Sequence, residues 1–277
     1  MEEHISSLQN QLVKNIVRLQ QKSSERRKSG MFAAEGRREV SLALSSGIRP
    51  VRLLLCPDIY TEDPSYPLKG SDQLPLSVTT VSRAVYNKLA WRKDAEGVIL
   101  VAKQADISPE KLSLPESPLL LVIEGVEKPG NLGAILRTAD AAGVDALILT
   151  DSRTDIYNPN VIRSSLGCIF TVPVIRSGNH EAIQWITRTE NWKGSAPAVF
   201  SALLQTSIPY DEADMTGPTA LVFGAEDKGL SDEWRAVSHQ HIRIPMAGKI
   251  DSLNLAASAA ILTFEAVRQR RRAAGGI

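Results

Sequence analysis

The chain has 277 residues, 43% of them hydrophobic and 23% charged, with a net charge of +1. Those values exclude a disordered chain and a strongly basic polyanion binder, and they leave room for two domains with cores of their own. The two cysteines, Cys56 and Cys168, stand far apart with no histidine spacing around them. This supports neither a disulfide framework nor a structural zinc site and points to a reducing, cytoplasmic setting. The opening MEEHISSLQNQLVKNIVRLQQK is acidic at its start and lacks a central apolar run, so it reads as neither signal nor transit peptide. No window approaches the length of a membrane span.

In chain order, residues 7–23 read as a helix and Arg37 to Ser46 as another. Val51 to Cys56, Leu76 to Val81 and Gly97 to Ala102 read as short strands, with Ser82 to Lys88 helical. Lys14, Arg18, Lys22, Arg26, Arg27, Lys28, Arg37 and Arg38 face only Glu25 and Glu35 between residues 14 and 38. Lys14, Arg18 and Lys22 sit four apart on one face, a mildly repulsive arrangement that an anionic partner would relieve. An ordinary solvated helix face is the competing reading, with a nucleic-acid surface the sharper one.

The stretch KQADISPEKLSLPESP, residues 103–118, has three prolines and no periodicity and reads as a linker. The expected organisation is a small α/β domain over 1–106, a linker over 107–118 and a second α/β domain over 119–277. In the latter, strand Leu119 to Ile123, helix Leu132 to Ala142 and strand Ala146 to Thr150 form a βαβ unit. Apolar runs Phe170 to Val174, Ala198 to Ala202 and Ala220 to Phe223 continue the strands, with a helix over Glu181 to Thr187. A terminal amphipathic helix runs from Leu253 to the basic run ending at Arg272.

Three loops carry candidate chemistry. The first, Glu124 to Gly133, follows a strand and opens a helix, where open α/β sheets bind ligands, yet it matches neither the dinucleotide fingerprint nor a Walker loop. On spacing alone Asn131 reads as a turn residue. Arg137, expected in the first turns of the helix, is a cation near a positive helix end, which is unfavourable without an anion. The second loop, Gly224 to Ser231, brackets Glu226 with glycines. Glu226 on its own could equally serve as a cap or a local ion-pair partner. The third is IPMAGKIDSLN, in which Ser252 and Asn254 have the chemistry of helix caps. No cluster of His, Cys or carboxylates competes with these loops for a metal or nucleophile role, and no metal is expected.

The segments EGVEKPGNLGAILRTADAAGVDALIL, RSSLGCIFTVPV, LVFGAEDKGLS and IPMAGKIDSLNLAASAAILTFEAVRQ resemble, in order and spacing, the SpoU (TrmH-like) family of the SPOUT superfamily. The resemblance covers essentially the whole second block. The first block, with FAAEGRREV and AEGVILVAK, is similar to the L30e-like substrate-binding domain often fused N-terminally to that family's catalytic domain.

The resemblance implies an α/β SPOUT domain threaded into a C-terminal trefoil knot, homodimerisation through that domain, and S-adenosylmethionine as cofactor. Phe223, Gly224, Ala225, Ile244, Pro245, Met246, Ser252 and Leu253 would hold the cofactor. Asn131, Arg137, Glu226, Ser252 and Asn254 would be the catalytic and site-shaping residues. Arg163 and Ser165 fall in the third signature and, with Arg26, Arg27, Lys28 and Arg37, would contact RNA. The implied activity is ribose 2′-O-methylation of RNA, with 23S ribosomal RNA favoured over transfer RNA. A non-catalytic RNA-binding protein and a base methyltransferase are the alternatives.

Overall fold

The computed structural model describes residues 3–61, 77–91 and 96–275. Leu76, expected to open a strand, and the extreme ends of the two expected domains lie outside the described residues. The chain separates into two compact units, Met1–Ala105 with Asp155–Thr171, and Asp106–Thr154 with Val172–Ile277.

The first unit begins with β1 (Glu3–Ile5), α1 (Gln11–Gln21), α2 (Ser23–Ser29), β2 (Met31–Glu35) and α3 (Arg37–Ser45). It continues through β3 (Pro50–Leu55), β4 (Ser77–Val81), α4 (Arg83–Leu89) and β5 (Val98–Lys103). The mixed sheet runs β1-β4-β3-β5-β2. Val13, Ile16, Leu54, Val85, Tyr86 and Ile99 pack in one of its buried clusters.

The helix expected over 7–23 is α1, shorter at both ends, and an unexpected second helix, α2, follows it. Asn10 caps α1 by accepting from Leu12 N–H at 2.8 Å, which starts the helix later, and Lys22 is extended between α1 and α2. The break lets Arg26 turn inward: its guanidinium reaches the carbonyls of Leu19 at 2.5 Å and Gln20 at 3.0 Å, satisfying the open end of α1.

The second unit opens with β6 (Leu119–Glu124), α5 (Pro129–Ala142) and β7 (Ala146–Thr150). The chain then contributes residues 155–171, with α6 (Pro159–Ser164), to the first unit. There Tyr157 and Phe170 stack on Phe32, with ring centroids 4.5 and 5.6 Å away. This corrects the strand expected over Phe170 to Val174. Its first residues form turns and bury an aromatic plug, and pairing starts only past Pro173, which has no N–H to donate.

The second unit resumes with β8 (Val174–Ser177), α7 (Asn179–Thr187), β9 (Ala198–Ala202), β10 (Ile208–Pro209), β11 (Thr219–Phe223), α8 (Asp232–Val237), β12 (Gln240–Arg243) and α9 (Leu255–Ala273). Its seven strands are parallel, in the order β10-β12-β9-β11-β6-β7-β8. Strands buried on both faces explain the unbroken apolar runs of β6, β7 and β11. Strand order reverses between β6 and β11, since the chain builds outward from β6 through β7 and β8 and then returns on the far side. A crevice at the carboxyl ends of these two strands is where such sheets place ligands.

Because β12 pairs with β9 while α9 packs against α5 and β11, residues 244–254 must pass back toward β6 over the carboxyl ends of β9 and β11. Arg270 secures the end of α9 by donating to the carbonyls of Met215, Ser117, Pro118 and Gly217 at 2.6–3.2 Å. Among the described residues, no helix is long and apolar enough to cross a membrane.

Candidate active site

The loops after β6 and β11 approach closely. Gly125 has φ +65°, and a Cβ there would lie 3.1 Å from Ala225 Cβ. Below them a buried network holds the β11 loop to β6. Glu124 accepts from Asn179 Nδ2 at 2.5 Å and from Ser231 N–H at 2.8 Å, and Trp234 Nε1 donates to Asn179 Oδ1 at 2.8 Å. Within the β11 loop, Ala225 and Gly229 exchange backbone hydrogen bonds of 3.0 and 2.9 Å. Glu226 therefore projects from the first position of a closed turn.

Three of the expected site residues meet there. Asn131 Nδ2 donates to Glu226 Oε1. Asn254 Nδ2 reaches Asn131 Oδ1 at 3.2 Å and Glu226 Oε1 at 3.3 Å. The cap reading of Asn254 holds as well, because its Oδ1 accepts from Ala256 N–H at 3.0 Å and starts α9. Asn131 is no turn residue: Pro129 opens α5, which places the amide in the first helical turn. Asn131 and Glu226 line a cavity of about 250 Å³, and Glu226 and Asn254 line a larger neighbouring one.

Lys128 was not anticipated from sequence. Its Nζ pairs with Glu226 Oε2, and the hydrogen bond and charge attraction to that carboxylate hold its ammonium above the usual lysine range. The signal that could have revealed it is a cation at the positive end of a helix opened by proline.

A second cavity, of about 530 Å³, adjoins the first across Glu226 and Leu255. Phe223, Gly224, Ala225, Ser252 and Leu253 line it. A smaller one, of about 120 Å³, takes in Ile244 and Met246, with Ser252 and Leu253 shared; Pro245 is not among the lining residues of either. The larger volume lies in the range of small-molecule sites. Two observations fit an adenosyl cofactor. Leu204, 52% exposed, offers an apolar wall to the larger cavity. At Gly224 the chain passes so close to the Gly229–Leu230 backbone that no Cβ fits, 2.2 Å from Gly229 C, which leaves bare main chain on the wall of the larger cavity. Among the described residues, no group of three or more His, Cys, Asp or Glu side chains is placed to hold a metal ion.

Arg137 stands apart from this cluster. With α5 starting at Pro129 it falls in the third turn, exposed and without a polar partner among the described residues. The positive end of α5 therefore bears little on it, because that effect fades within the first turn. The expected RNA contacts divide. Arg27, Lys28 and Arg163 are exposed and Arg37 is half-buried. Arg26 is 2% exposed and ion-paired with Asp155 at 2.7 Å, so its charge is used inside the unit. Ser165 is buried, its hydroxyl donating to Ile162 O at 3.0 Å. Neither is open to a phosphate.

The model of the SpoU rRNA Methylase family matches residues 118–264, and that of an MRM3-like substrate binding domain matches residues 10–100. The chain belongs to the SpoU rRNA methylase family. The 23S rRNA (guanosine(2553)-2′-O)-methyltransferase RlmP of Bacillus subtilis is 33% identical over 94% of this chain and 97% of its own length. The 23S rRNA (uridine(2479)-2′-O)-methyltransferase of Streptomyces viridochromogenes is 32% identical over 89% and 86% of the two chains. Among solved structures, the SpoU methyltransferase AviRb from Streptomyces viridochromogenes in complex with AdoMet has a TM-score of 0.85 at 27% identity, covering 97% of this chain and all of that one. An RNA 2′-O ribose methyltransferase aligns with a TM-score of 0.80 at 33% identity over 96% of this chain and 99% of its own.

Proposed function

We propose that this SpoU family member transfers a methyl group from S-adenosylmethionine to a ribose 2′-hydroxyl of RNA, with 23S ribosomal RNA as the target. The observation that carries this reading is the hydrogen-bonded meeting of Asn131, Glu226 and Asn254 where two cavities adjoin, Asn131 lining one, Asn254 the larger one that fits the cofactor, and Glu226 both. Both relatives above methylate a 2′-oxygen of 23S rRNA by name.

When bound, S-adenosylmethionine supplies an electrophilic methyl group on a sulfonium. The main chain around Phe223 to Ala225 and Ile244 to Leu253 would hold it. Methyl transfer to a sugar oxygen is an in-line displacement, so alignment supplies much of the rate enhancement. Asn131 uses one amide N–H on Glu226 and one lone pair on Asn254, which leaves one N–H and one lone pair for a ribose hydroxyl. Arg137, with a planar fork of N–H donors, acts by orienting substrate oxygen or phosphate. The passage of residues 244–254 over β9 and β11 supports the trefoil threading that goes with this reading.

Arg137→Ala is expected to slow methyl transfer about tenfold or more, the cost of one charge-assisted hydrogen bond, with cofactor affinity in calorimetry unchanged. Equal turnover in both proteins would remove Arg137 from the mechanism. The reading includes a homodimer. Ala257, Ile261 and Phe264 form one stripe of α9, and Phe264 is 46% exposed. A second copy covering that stripe makes Phe264→Asp monomeric in sedimentation; an unchanged dimer would exclude this face.

A further inference from the structure

Lys128 stands immediately before Pro129, with extended backbone and no cap hydrogen bond from its side chain. A helix presents its positive end at that place, where Ser, Asp or Asn would cap it and a cation is disfavoured. What offsets the lysine here is Glu226, and the pairing is selective in its atoms. Oε1 of the carboxylate accepts from both Asn131 and Asn254, while Oε2 accepts from Lys128. Without the ammonium, no hydrogen bond among the described residues would hold Oε2. The terminal torsion of a glutamate is broad, so the carboxylate would then turn and carry the two amides with it.

We propose that Lys128 is a positioning residue for methyl transfer. It clamps Glu226 so that Asn131 and Asn254 keep a single orientation toward the ribose, an inference that rests on reading the 250 Å³ cavity as the reaction site. Its role is that of a cation, since its ammonium is held above the ordinary lysine range and stays protonated at neutral pH. Side-chain exposures of 70% for Lys128 and 31% for Glu226 set this pair apart from a structural strut, because ion pairs so open to water contribute little to folding.

The test compares wild type, Lys128→Met, Lys128→Arg, Glu226→Gln and the Lys128→Met/Glu226→Gln double variant in single-turnover methyl transfer, with cofactor affinity from calorimetry and melting temperature alongside. The expected result is about a tenfold loss of turnover in Lys128→Met with affinity and melting unchanged. Lys128→Arg should recover most of the rate, and the double variant should be no slower than Glu226→Gln alone, since both changes break one link. Full activity in Lys128→Met, failure of arginine to rescue, or additive losses would overturn the proposal. A wild type that transfers no methyl group to RNA would sink the functional reading itself, whereas an active wild type matched by Lys128→Met sinks only the role of Lys128.

Discussion

Asn131→Ala is expected to lower methyl transfer by about a hundred- to a thousandfold while leaving cofactor affinity nearly as it was. The amide bonds both neighbours, donating to Glu226 and accepting from Asn254. Its loss would remove the group proposed to face the ribose and one hydrogen bond from each neighbour. Asn131 lines the smaller reaction cavity and is absent from the lining of the larger one, so the effect should appear in turnover and not in cofactor binding. Single-turnover kinetics with calorimetry on the same protein separate the two. A variant that transfers methyl at the wild-type rate would show that the cluster is a structural tie between loops.

The second large effect is at Gly224. Even Gly224→Ala puts a Cβ 2.2 Å from Gly229 C and 2.3 Å from Leu230 N, and these are backbone atoms that cannot swing aside. Relief requires opening the Ala225–Gly229 turn, which moves both the cofactor wall and Glu226. Overpacking of this kind costs about 1–3 kcal/mol, so cofactor affinity should fall by about one to two powers of ten, and turnover with it. Gly224→Ala that binds and reacts like wild type would mean that the turn is not part of the site.

The second unit was legible in the sequence where strands are buried on both faces. LLLVI, ALILT and ALVF leave no other reading for short apolar runs between glycine loops. β12 escaped because only Ile242 of its four residues is buried, too little for a pattern. β2 escaped because MFAAE merges into a basic, glycine-bounded stretch. The run Phe170 to Val174 misled because its start, Phe170, fills a core without joining a sheet, a difference set by residues more than a hundred positions away, such as Phe32.

At the site, the glycine-bracketed loops were legible and the family resemblance singled out residues 131, 226 and 254, but their meeting could not be read. It depends on β11 lying beside β6 and on α9 returning to α5. Arg26 shows the reverse error. Within a basic run nothing in the sequence separates a surface charge from one that Asp155, far along the chain, draws inside. Lys128 was overlooked because its partner is 98 residues away.

In the proposed function the cluster around Glu226 presents a ribose oxygen to the cofactor. The most direct measurement uses S-adenosylmethionine labelled in its methyl group and 23S ribosomal RNA from cells lacking the gene, followed by alkaline hydrolysis. A methylated 2′-oxygen cannot attack the neighbouring phosphate, so label should be recovered in alkali-resistant dinucleotides. Label found in mononucleotides would place the methyl group on a base and contradict the account.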